Sequence, residues 1–129
     1  MARVPIIRVG DTLVAAVQEE LLDRDALALQ VDLGEALERT GAQGVLIDVS
    51  VVETVDSFLG RLLNEVAVAA RLLGAQTVVV GIQPAVAVTL VELGLDLKGV
   101  RTALNVDKGL ALLPRLIARG DGHGRAPGR

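Results

Sequence analysis

Short apolar runs alternate with longer stretches of helical spacing along this chain, and that alternation lays out its elements. Pro5-Ile6-Ile7-Arg8-Val9, followed by Gly10-Asp11, reads as a short strand and a tight turn. Thr12-Leu13-Val14-Ala15-Ala16-Val17 returns as a second strand, so the pair predicts a hairpin with Gly10 supplying the special dihedral. Gln18 to Leu22 has no clear period and reads as a connection. From Ala26 to Thr40 the period becomes helical: Ala26, Leu29, Leu33 and Leu37 form one stripe, with Leu27 and Val31 beside it. Asp23 or Asp25 can cap this helix, and Gly41 is a stop signal.

Val45-Leu46-Ile47-Asp48-Val49 is short, apolar and rich in β-branched residues, which predicts a central strand covered on both faces. Ser57 to Leu73 is again helical. Phe58, Leu62, Val66, Ala69 and Leu73 make one row, widened by Leu59, Leu63 and Ala70. Arg61, Asn64 and Arg71 mark its wet side, and Gly74 ends it. Thr77-Val78-Val79-Val80 predicts a second buried strand, and Pro84 suits the first position of a helix from Ala85 to Leu93. Val100 to Leu104 reads as an edge-like strand. Asn105 can cap a last helix from Val106 to about Arg119, with a kink or early end expected at Pro114. The order ββαβαβαβα implies an α/β domain, a mixed sheet with helices packed on it. Residues 1–119 are expected to form this single domain, and the Gly/Arg-rich residues 120–129 a flexible tail.

Composition narrows the chemistry more than it changes this layout. At 129 residues, 51% of them apolar, the chain can bury one sizeable core, and that core must be aliphatic because Phe58 is the only aromatic. The absence of Cys excludes disulfides and thiolate sites, and the single His, His123, stands in the tail. No cofactor or metal is therefore expected. A net charge of −3, mixed in sign along the chain, gives no case for nucleic-acid binding. No apolar run approaches the roughly 20 residues of a membrane span, and no signal-peptide pattern opens the chain, so a soluble cytoplasmic protein is expected.

One stretch stands apart. Between Gly44 and Phe58 an apolar strand turns acidic and then offers the Ser57 hydroxyl where helical spacing begins. On residue types alone, Asp56-Ser57 is a helix-capping pair, and Ser50 and Thr54 are turn residues that satisfy local backbone groups. The other reading starts from location. In open α/β sheets, ligand and modification sites gather where strands end and the following helices begin. A phosphate there would sit near free backbone N–H groups and add about −1.5 to −2 charges beside Asp56, with Glu53 and Asp48 close in sequence.

The run Asp48-Val49-Ser50-Val51-Val52-Glu53-Thr54-Val55-Asp56-Ser57 resembles the phosphorylation loop of STAS domains, the family of bacterial anti-sigma-factor antagonists. Phe58-Leu59, where ordinary antagonists tend to have small residues, and the segment Gly81-Ile82-Gln83-Pro84-Ala85-Val86-Ala87-Val88-Thr89-Leu90-Val91-Glu92-Leu93-Gly94 are similar to stressosome members of that family, in particular the small S-type scaffolds. The likeness covers about residues 4 to 118. It implies a non-enzymatic scaffold with Ser57 as phosphoacceptor and Asp48, Ser50, Glu53, Thr54, Asp56 and Phe58 as its loop neighbours. The implied partners are a T-type serine/threonine switch kinase, an R-type STAS co-scaffold and a serine phosphatase, within a homo- and hetero-oligomeric shell. The alternative within the family is a conventional antagonist that binds an anti-sigma-factor kinase outside any stressosome.

Further surfaces and chemistries are open from the sequence. Arg61, Asn64, Val86, Val88, Leu90 and Val91 are candidates for a partner or oligomer surface, because the helix from Ala85 to Leu93 carries only Glu92 as a charge. A receiver-like domain phosphorylated on Asp48 would need further carboxylates at the end of the first strand, where only Asp11 stands, and a lysine late in the sheet; Lys98 and Lys108 fall in loop or helix positions. An enzyme would need a base beside Ser57, and none is visible.

Overall fold

The chain opens with two antiparallel strands, β1 (Ile6–Val9) and β2 (Thr12–Ala16), joined at Gly10-Asp11 with Val9 opposite Thr12. A computed structural model describes residues 4–17, 23–53, 57–94, 97 and 100–125. After the hairpin come α1 (Asp23–Thr40), β3 (Gly44–Asp48), α2 (Ser57–Leu72), β4 (Gln76–Val80), α3 (Pro84–Glu92), β5 (Arg101–Ala103) and α4 (Val106–Arg125). The strands lie in the order β1-β2-β3-β4-β5, with β2 to β5 parallel, so the sheet is mixed as the alternation of periods predicts.

Strand β3 is central and buried on both sides: Val45, Leu46 and Ile47 are each 0% exposed. Burying a side chain of this kind contributes about 1.5–3 kcal/mol relative to leaving it in water. Period-two alternation sends Val45, Ile47 and Val79 to one face, where α1 supplies Ala26, Leu29, Leu33 and Leu37, and α2 supplies Leu59, Leu62, Leu63 and Val66. Leu46, Val78 and Val80 point to the other face, which α4 covers with Leu113 and Leu116. Helix α4 approaches the sheet closely at Gly109, where an added Cβ would lie 2.6 Å from Val80 Cγ1 and 2.8 Å from Leu46 Cδ1.

Several sequence expectations need correcting. Leu27 and Val31 are exposed rather than flanking the buried stripe of α1. The row proposed for α2 is rotated: Ala69 and Leu73 face solvent, while Leu63, Ala67 and Ala70 face the core. Asp25 lies in the first turn of α1 and is buried, so it is not the residue before the helix. Pro114 does not end α4; it is exposed, and the carbonyl it leaves without a donor can be met by water. The same helix runs past Arg119 to Arg125, into residues expected to form a tail. The glycines there offer no local reason for that extension. Gln18 to Leu22, Lys98 and the last four tail residues lie outside the described residues.

Candidate functional site

The chain leaves the sheet at Asp48, and a set of short-range bonds fixes how it does so. Val49 N donates to Val80 O at 3.0 Å and Val17 N to Asp48 O at 2.9 Å, so pairing continues just beyond the formal strand ends. Asp48 Oδ1 then accepts from Ser50 N at 2.9 Å, an Asx turn in which the carboxylate satisfies backbone left free at the strand terminus. Val52 N donates to Val49 O at 3.0 Å. Val51 points to solvent, whereas Val52 is buried and anchors the loop in the core shared with α1 and α2. Glu53 follows, exposed.

Across residues 54–56, which lie outside the described residues and include Thr54 and Asp56, the chain resumes in α2. Ser57 is the first residue of that helix, so its backbone stands at the amino end where unpaired N–H groups favour negative charge. Phe58 packs partly buried against the same core as Val52. Val52 and Phe58 are thus apolar anchors on either side of Ser57 in the sequence. Arg61 is exposed one turn on, and Asn64 is half-exposed.

A second segment braces the loop. Strand β4 ends beside β3, and the chain turns at Gly81 with φ +81°. A Cβ there would lie 2.8 Å from Ser50 Cβ and 3.0 Å from Ser50 Cα, so only glycine lets the two loops approach this closely. Gln83 precedes Pro84, the first residue of α3. In that N-cap position its side chain makes no capping bond to the helix. Its Nε2 instead donates to Ser50 O at 2.8 Å, across 33 residues of sequence. Sequence reasoning gave Gln83 no role. The available signal was the unusual choice of Gln where Ser, Thr, Asp or Asn is preferred.

Of the residues put forward as a partner surface on α3, Val88 and Val91 are exposed at 56% and 77%. Val86 and Leu90 are a correction: they are buried at 3% and 5%, because the inward side of a helix of this spacing must meet the domain. Ala87, Val88, Val91 and Glu92 line a shallow depression on the outer side.

Among the described residues the carboxylates of a receiver-like site are not brought together. Asp11 sits at the start of β2, where its carbonyl accepts from Gln43 N and Gly44 N, while Asp48 pairs with Ala16 at the other end. The two are separated by the length of a strand, on the order of 15 Å at about 3.3 Å per residue. Among the described residues no group of three or more His, Cys, Asp or Glu could hold a metal, and no helix is long and apolar enough to cross a membrane.

Comparison with known proteins places this geometry among relatives. The model of the STAS domain matches residues 3–109. The structure of an RsbS from Moorella thermoacetica bearing a serine-to-glutamate substitution is 46% identical, with a TM-score of 0.77, covering 92% of this chain and 99% of that one. A chain from the molecular architecture of the stressosome, a signal integration and transduction hub, is 45% identical with a TM-score of 0.76, covering 87% and 97%. The RsbT co-antagonist protein RsbRA of Bacillus subtilis (strain 168) is 39% identical over 69 residues, which is 54% of this chain and 25% of RsbRA. The likeness therefore spans about a quarter of that larger relative.

Proposed function

Because this chain belongs to the STAS domain family, we propose that it is an RsbS-like stressosome scaffold that holds a switch serine/threonine kinase until Ser57 is phosphorylated. The observation that carries the reading is the position of Ser57, which opens α2 directly after an anchored loop at the carboxyl ends of parallel strands. The end-to-end likeness to RsbS supports the same assignment, and the solved relative was itself altered from serine to glutamate.

The physical logic of the switch is electrostatic. Among the described residues the loop carries the exposed apolar side chain of Val51 and the exposed carboxylate of Glu53. Phosphorylation adds about −1.5 to −2 charges. The amino end of α2 tolerates that charge, contributing about 0.3–1 kcal/mol toward it, so the fold need not rearrange. A docked kinase instead meets a charged, strongly hydrated group at the contact surface and dissociates. The transfer chemistry is the kinase's; this chain supplies the acceptor, and a serine phosphatase resets it. The likeness to RsbRA and to the stressosome chain supports co-assembly with R-type STAS proteins, within what we propose is a cytoplasmic shell.

Capture of the kinase by wild type, Ser57→Ala and Ser57→Asp tests the switch. Wild type and Ser57→Ala should retain it, and Ser57→Asp should lose most of it; equal capture by all three ends the proposal. Size-exclusion chromatography with the R-type partner separates the stressosome scaffold from a conventional antagonist, which would bind the kinase without forming a large assembly.

A further inference from the structure

We propose that Gln83 is a positioning residue for phosphoryl transfer to Ser57, an inference that rests on the reading of Ser57 as the acceptor. In that transfer Ser57 Oγ forms a bond to the γ-phosphorus of ATP. The bond from that phosphorus to the β–γ bridging oxygen breaks, ADP leaves, and the hydroxyl proton passes to a base of the kinase. The scaffold's own task is presentation. Among the described residues, the loop that leads toward Ser57 leaves the sheet through Ser50, where Val52 is buried in the core and three hydrogen bonds act on the backbone.

Two of these contacts are local: Asp48 Oδ1 receives Ser50 N, and Val49 O receives Val52 N. Neither of these bonds reaches beyond the loop, which the buried side chain of Val52 also holds. The third does, because Gln83 Nε2 reaches from the start of α3 to Ser50 O at 2.8 Å. Gly81 makes that reach feasible: a larger residue would hold the two backbones apart. Helix α3 meanwhile goes without a side-chain cap, since the residue in that position is engaged with the loop. A capping Ser or Asp at position 83 would serve the helix and could not reach Ser50. The choice of Gln, with its longer arm and amide donor, fits service to the loop. Gln83 is only partly buried and its bond to Ser50 is exposed, so its contribution is local order rather than domain stability.

Removing one neutral hydrogen bond of this kind raises the population of the opened loop by roughly three- to tenfold. A kinase that binds only the ordered loop then sees a diluted substrate, so KM rises while kcat at saturation is kept.

The test uses the full chain as wild type, Gln83→Met, which keeps length and loses the donor, and Gln83→Lys, which keeps a donor within reach. Amide hydrogen exchange at Ser50 and Val52 should quicken about three- to tenfold in Gln83→Met and return toward wild type in Gln83→Lys. With the switch kinase and ATP, KM for Gln83→Met should rise, by at most about the same three- to tenfold factor, at unchanged kcat, again restored by Gln83→Lys, with the thermal midpoint constant across the three. Phosphate on Ser57 with the same KM in every variant overturns the role of Gln83 and leaves the acceptor reading standing. No phosphate on Ser57 of the wild type overturns the acceptor reading itself.

Discussion

Replacing Gly81 by Ala tests the closeness of the two loops directly. The substitution adds a single methyl group, and its surroundings are fixed: Ser50 Cβ at 2.8 Å, Ser50 Cα at 3.0 Å and Ser50 N at 3.1 Å. Two of these atoms are backbone and the third is the root of a side chain, so no flexible end can swing aside. The backbone at position 81 also has φ +81°. Holding an L-residue in that region costs about 1–2 kcal/mol, and overpacking adds about 1–3 kcal/mol. The expected loss is therefore about 2–5 kcal/mol, a large share of the roughly 5–15 kcal/mol that stabilises a typical domain. For a domain of this size that lowers the thermal midpoint by on the order of 10 °C. Circular dichroism during thermal and urea unfolding reads both quantities. Gly34→Ala is the control: it lies within α1 with nothing within 4 Å of an added Cβ, and it should gain about 0.5–1 kcal/mol. If Gly81→Ala lost less than about 0.5 kcal/mol, the loops would not be in the contact described, and the bracing of the Ser57 loop by this segment would fall with it.

Gly109→Ala should destabilise by about 1–3 kcal/mol in urea unfolding although alanine is the better helix former, because its Cβ would intrude on Val80 and Leu46. Thr77→Val should stabilise by about 1 kcal/mol in the same assay, since Thr77 Oγ1 is buried without a hydrogen-bond partner and valine keeps the shape; a loss of that size would show that the hydroxyl is satisfied in solution. Val91→Glu on α3 should leave monomer stability within about 0.5 kcal/mol. If this exposed face meets a neighbour in the assembly, sedimentation of that variant with the R-type partner shifts to smaller species, and an unchanged profile removes α3 from the interface.

Much of the layout was legible because two periods alternate cleanly along the chain. Val45 to Asp48 and Thr77 to Val80 could hardly be anything but central strands, and the glycines after α1 and α2 mark where those helices stop. What the pattern could not settle was which way each helix turns. With half the residues apolar, a helix such as α2 carries Leu72 and Leu73 on its wet side as well as Leu62 and Leu63 on the dry one. Periodicity then fits more than one row. The same surplus hid that Val86 and Leu90 face inward on α3 while Val88 and Val91 do not. At the proposed site, residue type alone favours a helix cap, and Ser57 is singled out by the resemblance of residues 48–57 to a family motif. Gln83 is harder to find, because its bond goes to a backbone carbonyl 33 residues away and its local mark is only an unusual residue before a helix.

The strand order has a consequence for how the molecule comes into being. Each strand pairs with the one made just before it, so every new strand joins a free edge and none is inserted between two already paired. A chain emerging from the ribosome can build this sheet in the order of synthesis, with short-range closures that favour quick folding. The exception is α4, made after all five strands, which among the described residues supplies the helix that covers the face formed by Leu46, Val78 and Val80. Until it emerges, that aliphatic surface is bare, and the nascent chain stays adhesive there even with its whole sheet assembled.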